Sequence, residues 1–561
     1  MKVVIIGGVA GGASAAARLR RLDESAEIVI LERSGYVSYA NCGLPYYVGG
    51  VIADRAKLTL QTPESFRTRF AIDARVRHEA VAIDRAAQTV TVRALDEGST
   101  YTESYDRLIL SPGAHATIPN LPGVDSSRLF TLRTVEDTFA IYDAIEQTCA
   151  RSATVVGAGF IGLEMAENLR ERGLDVVLVQ RDDHVLPILD ADMAALAHNT
   201  LRAHGIDLRL NTHVTGFEEK EAGIATHLDG QPDIPSDLVI LSIGVTPESG
   251  LAKAAGLELG LRGSIRVDSR MRTSDPRIYA VGDAVEVTHA VTGHPALIAL
   301  AGPANKQGRI AADNICGIER RFTGSQGSSV LKLFDRTIAA TGLTTNAAIA
   351  EGIDVDSVVL TPANHATYYP GSESIMLKVL FERATSRIVG AQAIGGDGVD
   401  KRIDVLAVAI RARMDANDLA ELDLAYAPPY SSAKDPVNMA GFMIQNITEG
   451  RVRHLDWKSV LADTEALLLD VRTAGERQRG AIEGSAHVPL DELRERLDEI
   501  PRERRVNVFC QSGLRSYLAC RILVQHGFDA ANVDGGFGFY EQTALDRSVQ
   551  TREVGGCGMP A

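Results

Sequence analysis

Ala153-Thr154-Val155-Val156-Gly157-Ala158-Gly159-Phe160-Ile161-Gly162 is the stretch that decides the fold. A short apolar run enters a full G-x-G-x-x-G turn. The helix-like LEMAENLRERG follows, and then the strand-like VVLVQR. Strand, glycine turn and helix form the context the motif demands. Glycines let the backbone approach a pyrophosphate, and a helix N-terminus favours its negative charge. Gly157, Gly159, Phe160, Ile161 and Gly162 are therefore candidate contacts to a dinucleotide. The position after the second strand, often acidic in NAD-binding units, is Gln180, followed by Arg181. Without an acid a 2′-phosphate is less strongly repelled, so NADH and NADPH both stay open.

Outward from this unit, the same plan recurs at the start of the chain. VVII at 3–6 enters Gly7-Gly8-Val9-Ala10-Gly11-Gly12, ASAAARLRRL follows, and EIVILER ends at Glu32 and Arg33. Val9 stands where the second glycine of the motif usually is. Gly7, Gly8, Ala10, Gly11 and Gly12 are candidates to cradle a second dinucleotide. Glu32 would accept hydrogen bonds from an adenosine ribose, and Arg33 is grouped with it.

A chain of 561 residues is too long for one core, so three to five domains are expected. Its net charge of −15 argues against a general nucleic-acid or membrane surface role, while leaving room for a local basic pocket. The six cysteines, Cys42, Cys149, Cys316, Cys510, Cys520 and Cys557, show no metal-type spacing. No metal site and no secreted disulfide framework are expected, and a reducing compartment fits. MKVVIIGG reads as a strand, not a signal peptide, and no apolar run approaches the ~20 residues of a membrane helix. The expectation is a soluble, cytoplasmic protein.

Two dinucleotide units are joined by further motifs. Ile278-Tyr279-Ala280-Val281-Gly282-Asp283 looks like the flavoprotein segment whose aspartate contacts the ribityl and pyrophosphate region of FAD. Leu110-Ser111-Pro112-Gly113-Ala114 and Ser242-Ile243-Gly244-Val245-Thr246-Pro247 resemble its two connecting strands, and Gly244 is counted with the cofactor residues. Cys42 lies in Ser38-Tyr39-Ala40-Asn41-Cys42-Gly43-Leu44-Pro45-Tyr46-Tyr47. Together these motifs resemble the single-cysteine branch of the FAD-dependent pyridine nucleotide-disulfide oxidoreductases. That branch includes coenzyme A disulfide reductases, NADH oxidases and NADH peroxidases. Glutathione-reductase-like enzymes use a C-x4-C pair, but here Tyr47 stands five positions after Cys42, so no such internal disulfide can form.

The chemistry follows from that absence. A two-electron thiol couple needs two sulfurs or an oxidised single sulfur. With one protein sulfur, the other comes from the substrate. Cys42 thiolate, expected beside a flavin and a helix N-terminus, would attack a disulfide or sulfane sulfur. Oxidases and peroxidases of the branch commonly carry a histidine in the first glycine loop, and residues 8–14 here hold none. The resemblance further implies Arg18, Arg21, Ser38 and Asn41 as contacts to coenzyme A, with Asn41 also beside FAD. Arg18 and Arg21 lie i, i+3 on one helix, a spacing suited to phosphate recognition.

From about 329 to 446, alternating strands (VLKLFDRTIAATGL, SIMLKVLFE, RIVGAQAIG) and the amphipathic RIDVLAVAIRARM resemble the dimerisation domain of the family. The resemblance implies a homodimer in which tyrosines of one copy reach the cysteine of the other. Tyr369, beside Tyr368, and Tyr430, in the turn that begins at Tyr426, fit those places and could protonate a leaving thiolate.

After a linker near 450–453, Leu467–Arg472, the run Gly480 to Pro489 and Val533 to Phe537 resemble a rhodanese domain, with Ala481 in place of a histidine. Its Cys510-Gln511-Ser512-Gly513-Leu514-Arg515-Ser516 runs from a strand end into a helix. Backbone N–H groups there favour a thiolate or persulfide, and Arg515 adds positive charge. The loop is shorter than that of Cys-x5-Arg phosphatases, which suits sulfur over phosphorus. Cys520 reads as packing; Cys557, in a flexible glycine-rich tail, is a candidate shuttle.

The expected architecture is α/β throughout: two Rossmann-like dinucleotide-binding domains, an α+β dimerisation domain and a C-terminal α/β rhodanese domain. Residues 1–111 and 245–325 form a discontinuous FAD domain, 112–244 the NAD(P) domain, 326–447 the dimerisation domain, 455–550 the rhodanese domain and 551–561 the tail. The function implied is NAD(P)H-dependent reduction of a coenzyme A persulfide, polysulfide or coenzyme A disulfide through Cys42. FAD and NADH or NADPH are the cofactors, and coenzyme A is a substrate or a tightly held ligand. The alternatives are an NADH oxidase or peroxidase with an appended domain, and a redox sensor.

Overall fold

The structure is a computed structural model that describes residues 1–555, with side chains through 550. Cys557 lies outside the described residues. The chain separates into two compact units, residues 1–183 with 205–327, and residues 184–204 with everything from 328 onward.

The first unit is built on two parallel five-stranded sheets. One runs Ile278–Ala280, Arg107–Leu110, Lys2–Ile6, Glu27–Glu32 and Asp73–Val76. The other runs Asp207–Arg209, Asp175–Val179, Ser152–Val156, Leu238–Leu241 and Leu129–Phe130. Val3, Val4 and Ile5 are all fully buried. A parallel sheet covered on both faces buries every side chain, so its strands read as unbroken apolar runs. The chain leaves the first sheet after Leu110 and returns for its last strand at Ile278. On the way out and back, Ala114–Ala116 and Val245–Pro247 pair antiparallel. Two three-stranded antiparallel meanders, starting at His78 and Val214, complete the unit.

Each central strand feeds a helix through a glycine turn, Ala10–Leu22 and Phe160–Glu171. Gly7 and Gly157 adopt φ of +95° and +102°. A Cβ on Gly12 or Gly162 would stand 1.9 Å from the carbonyl oxygen of Gly7 or Gly157. Only glycine fits there.

The second unit holds an antiparallel sheet, ordered Ser329–Leu333, Arg336–Gly342, Ile388–Gly395, Met376–Glu382 and Val355–Leu360. The helix Val399–Ala412 packs on it. A second, parallel sheet runs Arg453–Leu455, Ala530–Val533, Val506–Phe509, Leu467–Asp470 and Ala486–His487. The final helix is Gly536–Gly555. The helix Ala191–Ala203 belongs to this unit. At its head the buried Lys378 ammonium sits 2.9 Å from Asp190 and 2.8 Å from Asp192. Further along, Asp546 of the final helix accepts from His198 and Arg202. Among the described residues no helix is long and apolar enough to cross a membrane, and no group of three or more His, Cys, Asp or Glu is placed to hold a metal.

Candidate functional site

The two glycine turns are latched from behind by the side chains that end the neighbouring strands. Glu32 Oε2 accepts from the Gly8 N–H at 2.9 Å, and its Oε1 accepts from the Ser34 N–H at 2.9 Å. Gln180 Oε1 accepts from the Ala158 N–H at 3.0 Å. Burial pushes the Glu32 carboxyl up against those N–H bonds. The Gln180 amide also donates to Asp182 at 3.2 Å, an acid two positions on that sequence reading did not weigh. Nothing lies within 4 Å of a Cβ built on Gly159, so the face of that turn is open to a pyrophosphate. The cradle therefore fits a dinucleotide. Asp283 pairs with Arg133 at 3.0 Å, and the Gly282 N–H before it donates to Gln307. Gly244 takes φ +120°. Arg33 is exposed, 3.6 Å from Glu248.

Cys42 lies in one helical turn, Asn41–Gly43, followed by the short helix Leu44–Val48. The approach is fixed by Ser38, whose φ is +52° and whose N–H donates to the Gly8 carbonyl at 2.8 Å. The cysteine segment thus runs beside the first glycine turn. Tyr47 is buried against Phe139 and Tyr142. Cys42 itself is exposed, yet enough protein surrounds its sulfur that desolvation raises the thiol, with Glu164 and Asp283 adding to it and Arg133 opposing. Desolvation first, and then the two carboxylates, thus outweigh what the start of a helix of only five residues offers a thiolate. Burial, and then Glu167, push the Glu164 carboxyl up to about 7, while a Tyr46 hydrogen bond opposes. Burial and Glu164 push Tyr46 up to about 12. Glu164, Tyr46 and Arg133 were not singled out from the sequence. Arg18 turns onto Asp313 at 2.6 Å, whereas Arg21 is exposed.

In the second unit the turns bearing Tyr369 and Tyr430 are tied together. The fully buried Arg402 donates to the Asn364 carbonyl, to Ser431 Oγ and to Asp435 at 3.0 Å, and the Ala366 N–H donates to the Ser431 carbonyl. Tyr368 and Tyr426 share a 2.7 Å hydroxyl contact. Tyr430 is 72% exposed and Tyr369 44%, unusual for side chains of this size.

Cys510 ends the strand Val506–Phe509 and is buried. Gly513, at φ +101°, caps the helix Leu514–Gln525, and its N–H donates to Cys510 Sγ at 3.1 Å; Ser516 Oγ lies 3.4 Å from the same sulfur. The loop is held from behind by the Phe537 and Gly538 N–H groups on the carbonyls of Cys510 and Gln511. Glu476, and after it the Cys510 sulfur, push the Arg515 guanidinium up, and its two terminal nitrogens donate to Glu476 at 2.6 and 2.7 Å. Beneath them Arg472 pairs with the buried Asp470 at 2.8 Å. Cys520 is buried, and burial pushes its thiol up, as for a packing residue.

Comparison with known proteins matches each part of this architecture. Residues 1–308 match the pyridine nucleotide-disulphide oxidoreductase model, 329–436 the dimerisation domain of the same family, and 455–542 a rhodanese-like domain. The chain is 38% identical over 448 residues to the coenzyme A disulfide reductase of Staphylococcus haemolyticus, covering 80% of this chain and all of that one. It superposes with a TM-score of 0.95 on reduced CoADR-RHD of Bacillus anthracis (47% identity, 97% of this chain and 98% of that). On a NAD-dependent persulfide reductase from A. fulgidus the TM-score is 0.92 (39% identity, 96% and 100%).

Proposed function

The chain belongs to the pyridine nucleotide-disulphide oxidoreductase family, and from that premise we propose that it is a flavoprotein that reduces a coenzyme A disulfide or persulfide with NAD(P)H through Cys42. One observation carries this reading. Position 47, where a second redox sulfur would have to stand, is a buried tyrosine in an aromatic cluster, so the substrate supplies the second sulfur.

The Cys42 thiolate attacks the outer sulfur of R–S–SH, the S–S bond breaks, and R–S⁻ leaves, giving Cys42–S–SH. Two electrons and one proton then release H₂S and restore the thiolate. With a disulfide R–S–S–R the same steps give Cys42–S–S–R and two equivalents of thiol. The Gly7–Gly12 turn, Glu32 and Asp283 would hold FAD, and Gly157–Gly162 with Gln180 would hold NAD(P)H, the pair that would supply those electrons. Arg133 is the cation that favours the thiolate. Glu164, titrating about pH 7, holds a proton within reach of Tyr46 and of the sulfur site. In a homodimer formed through residues 329–436, the exposed Tyr430 and Tyr369 of one copy serve the Cys42 site of the other, which accounts for aromatics left in solvent. Arg21, Ser38 and Asn41 remain available to coenzyme A. Arg18 contributes only if it exchanges Asp313 for a phosphate. Cys510 carries sulfane sulfur, held by the Gly513 N–H and Ser516.

An oxidase or peroxidase is the second reading, and the histidine-free loop 8–14 disfavours it. Anaerobic turnover decides between them. The proposal expects sulfide or thiol release from a coenzyme A persulfide or disulfide without oxygen. NAD(P)H consumption only with oxygen or peroxide would overturn it.

A further inference from the structure

The charges around the Cys510 loop are engaged with one another, and this limits which sulfur donor can load it. Two guanidinium groups belong to the loop's surroundings, Arg515 within it and Arg472 at 3.5 Å from Gln511 Oε1, and Arg477 joins Arg472 on Asp470. Arg515 is held at two points by Glu476. Arg472 and Arg477 both reach Asp470, the latter also bonding Ser485. Three cations share two carboxylates, and none of the three carboxylate contacts is left without its guanidinium. Glu476 is not free to let go. It also accepts from the Thr473 N–H and hydroxyl, both at 2.9 Å, as the third residue of a capping box. The Arg515 guanidinium holds its carboxyl down at about 2, so the pair stays ionised at every working pH. On the helix that carries Arg515, Leu514 and Leu518, one turn apart, are 58% and 45% exposed.

Sulfane donors differ in the group bonded to the transferred sulfur. In thiosulfate it is a trioxide, and the ion carries two negative charges. In a thiol persulfide it is a second sulfur and then carbon, with at most one charge at that end. Both reactions balance at the loop: Cys510–S⁻ + R–S–SH gives Cys510–S–SH + R–S⁻, and Cys510–S⁻ + S–SO₃²⁻ gives Cys510–S–S⁻ + SO₃²⁻. The second brings a dianion past a carboxylate whose neighbouring cation is already engaged.

We infer that Glu476 is a specificity-determining residue that closes the Cys510 loop to thiosulfate and leaves it to thiol persulfides, whose carbon stem lies along Leu514 and Leu518. The inference rests on reading Cys510 as the sulfur carrier. Glu476 acts through Arg515 and is a positioning residue: by holding the guanidinium at two points it denies that cation to an incoming dianion.

The test uses the full-length protein, with thiosulfate and glutathione persulfide as donors. It reads Cys510 persulfide by peptide mass spectrometry and kcat/KM for transfer to an acceptor thiol. The persulfide is preferred by the native protein. In Glu476→Gln, which keeps a capping side chain, the ratio of thiosulfate to persulfide kcat/KM rises at least roughly tenfold. The gain weakens at high salt. It vanishes in the Glu476→Gln/Arg515→Gln double variant, which separates a freed cation from a merely loosened loop. A native protein that uses thiosulfate as well as the persulfide, or a ratio unmoved by Glu476→Gln, overturns the inference alone. Failure of both donors to load native Cys510 overturns the sulfur-carrier reading, and the inference with it.

Discussion

At Cys42 the surroundings and the proposed task pull in opposite directions. Burial, Glu164 and Asp283 all favour the thiol, and only Arg133 favours the thiolate. Glu164 is the adjustable member. Titrating about pH 7, it is neutral below that value and adds a negative charge above it. Glu164→Gln is therefore predicted to speed alkylation of Cys42 at pH 8, by roughly three- to tenfold, and to remove the inflection near pH 7 from its pH profile. An unchanged rate would show that Glu164 does not face the sulfur. Cys42 and Cys510 stand out as candidates in the sequence because each lies in a motif carried by its neighbours in the chain. Glu164 does not: it lies 122 positions from Cys42, one of four charged residues on an ordinary amphipathic helix.

At the scale of elements, turns are held by buried charges that no periodicity announces. Arg402 and Asp435 lie over thirty positions apart, yet together they fix the Tyr430 turn. Arg402→Met leaves Asp435 buried without its partner and is expected to destabilise the second unit by roughly 3–5 kcal/mol, seen as a lower thermal midpoint. Substrate reduction should fall with it even in protein that remains folded. His454 is a second such post. Burial alone would lower it, but Asp534 and Asp356, at 2.8 and 3.2 Å, push it up to about 10. Its contribution to stability is fully present below its unfolded value near 6.5 and is lost as pH rises towards about 10. Trp457, the one tryptophan of the chain, donates to the Gly536 carbonyl behind the Cys510 loop and therefore reports on this region. The thermal midpoint of its fluorescence should decline between pH 7 and 10, and His454→Gln should start lower and stay flat. A native midpoint independent of pH would contradict the assignment. By contrast, both glycine turns and the strand Val506–Phe509 could be read directly, since each is a continuous segment whose pattern is local.

At the scale of the whole molecule, two chemistries share one chain, and each should survive loss of the other. Cys510→Ser is expected to abolish loading by sulfane donors, by roughly a hundredfold or more, while reduction of coenzyme A disulfide changes less than about twofold. Equal loss of both would mean that the rhodanese cysteine lies on the main electron path. The order of domains was legible because each brings its own motif. The placement of the helix Ala191–Ala203 with the later domains was not, since it depends on Lys378 and Asp546, some 190 and 350 positions further along. Reduction through a lone thiol requires the substrate to lend its sulfur to Cys42. The direct measurement is peptide mass spectrometry after anaerobic mixing of coenzyme A disulfide with protein whose Cys42 is the free thiol, without NAD(P)H. A coenzyme A adduct on Cys42 that disappears on adding NAD(P)H is predicted; an unmodified Cys42, together with full turnover by Cys42→Ser, would contradict it.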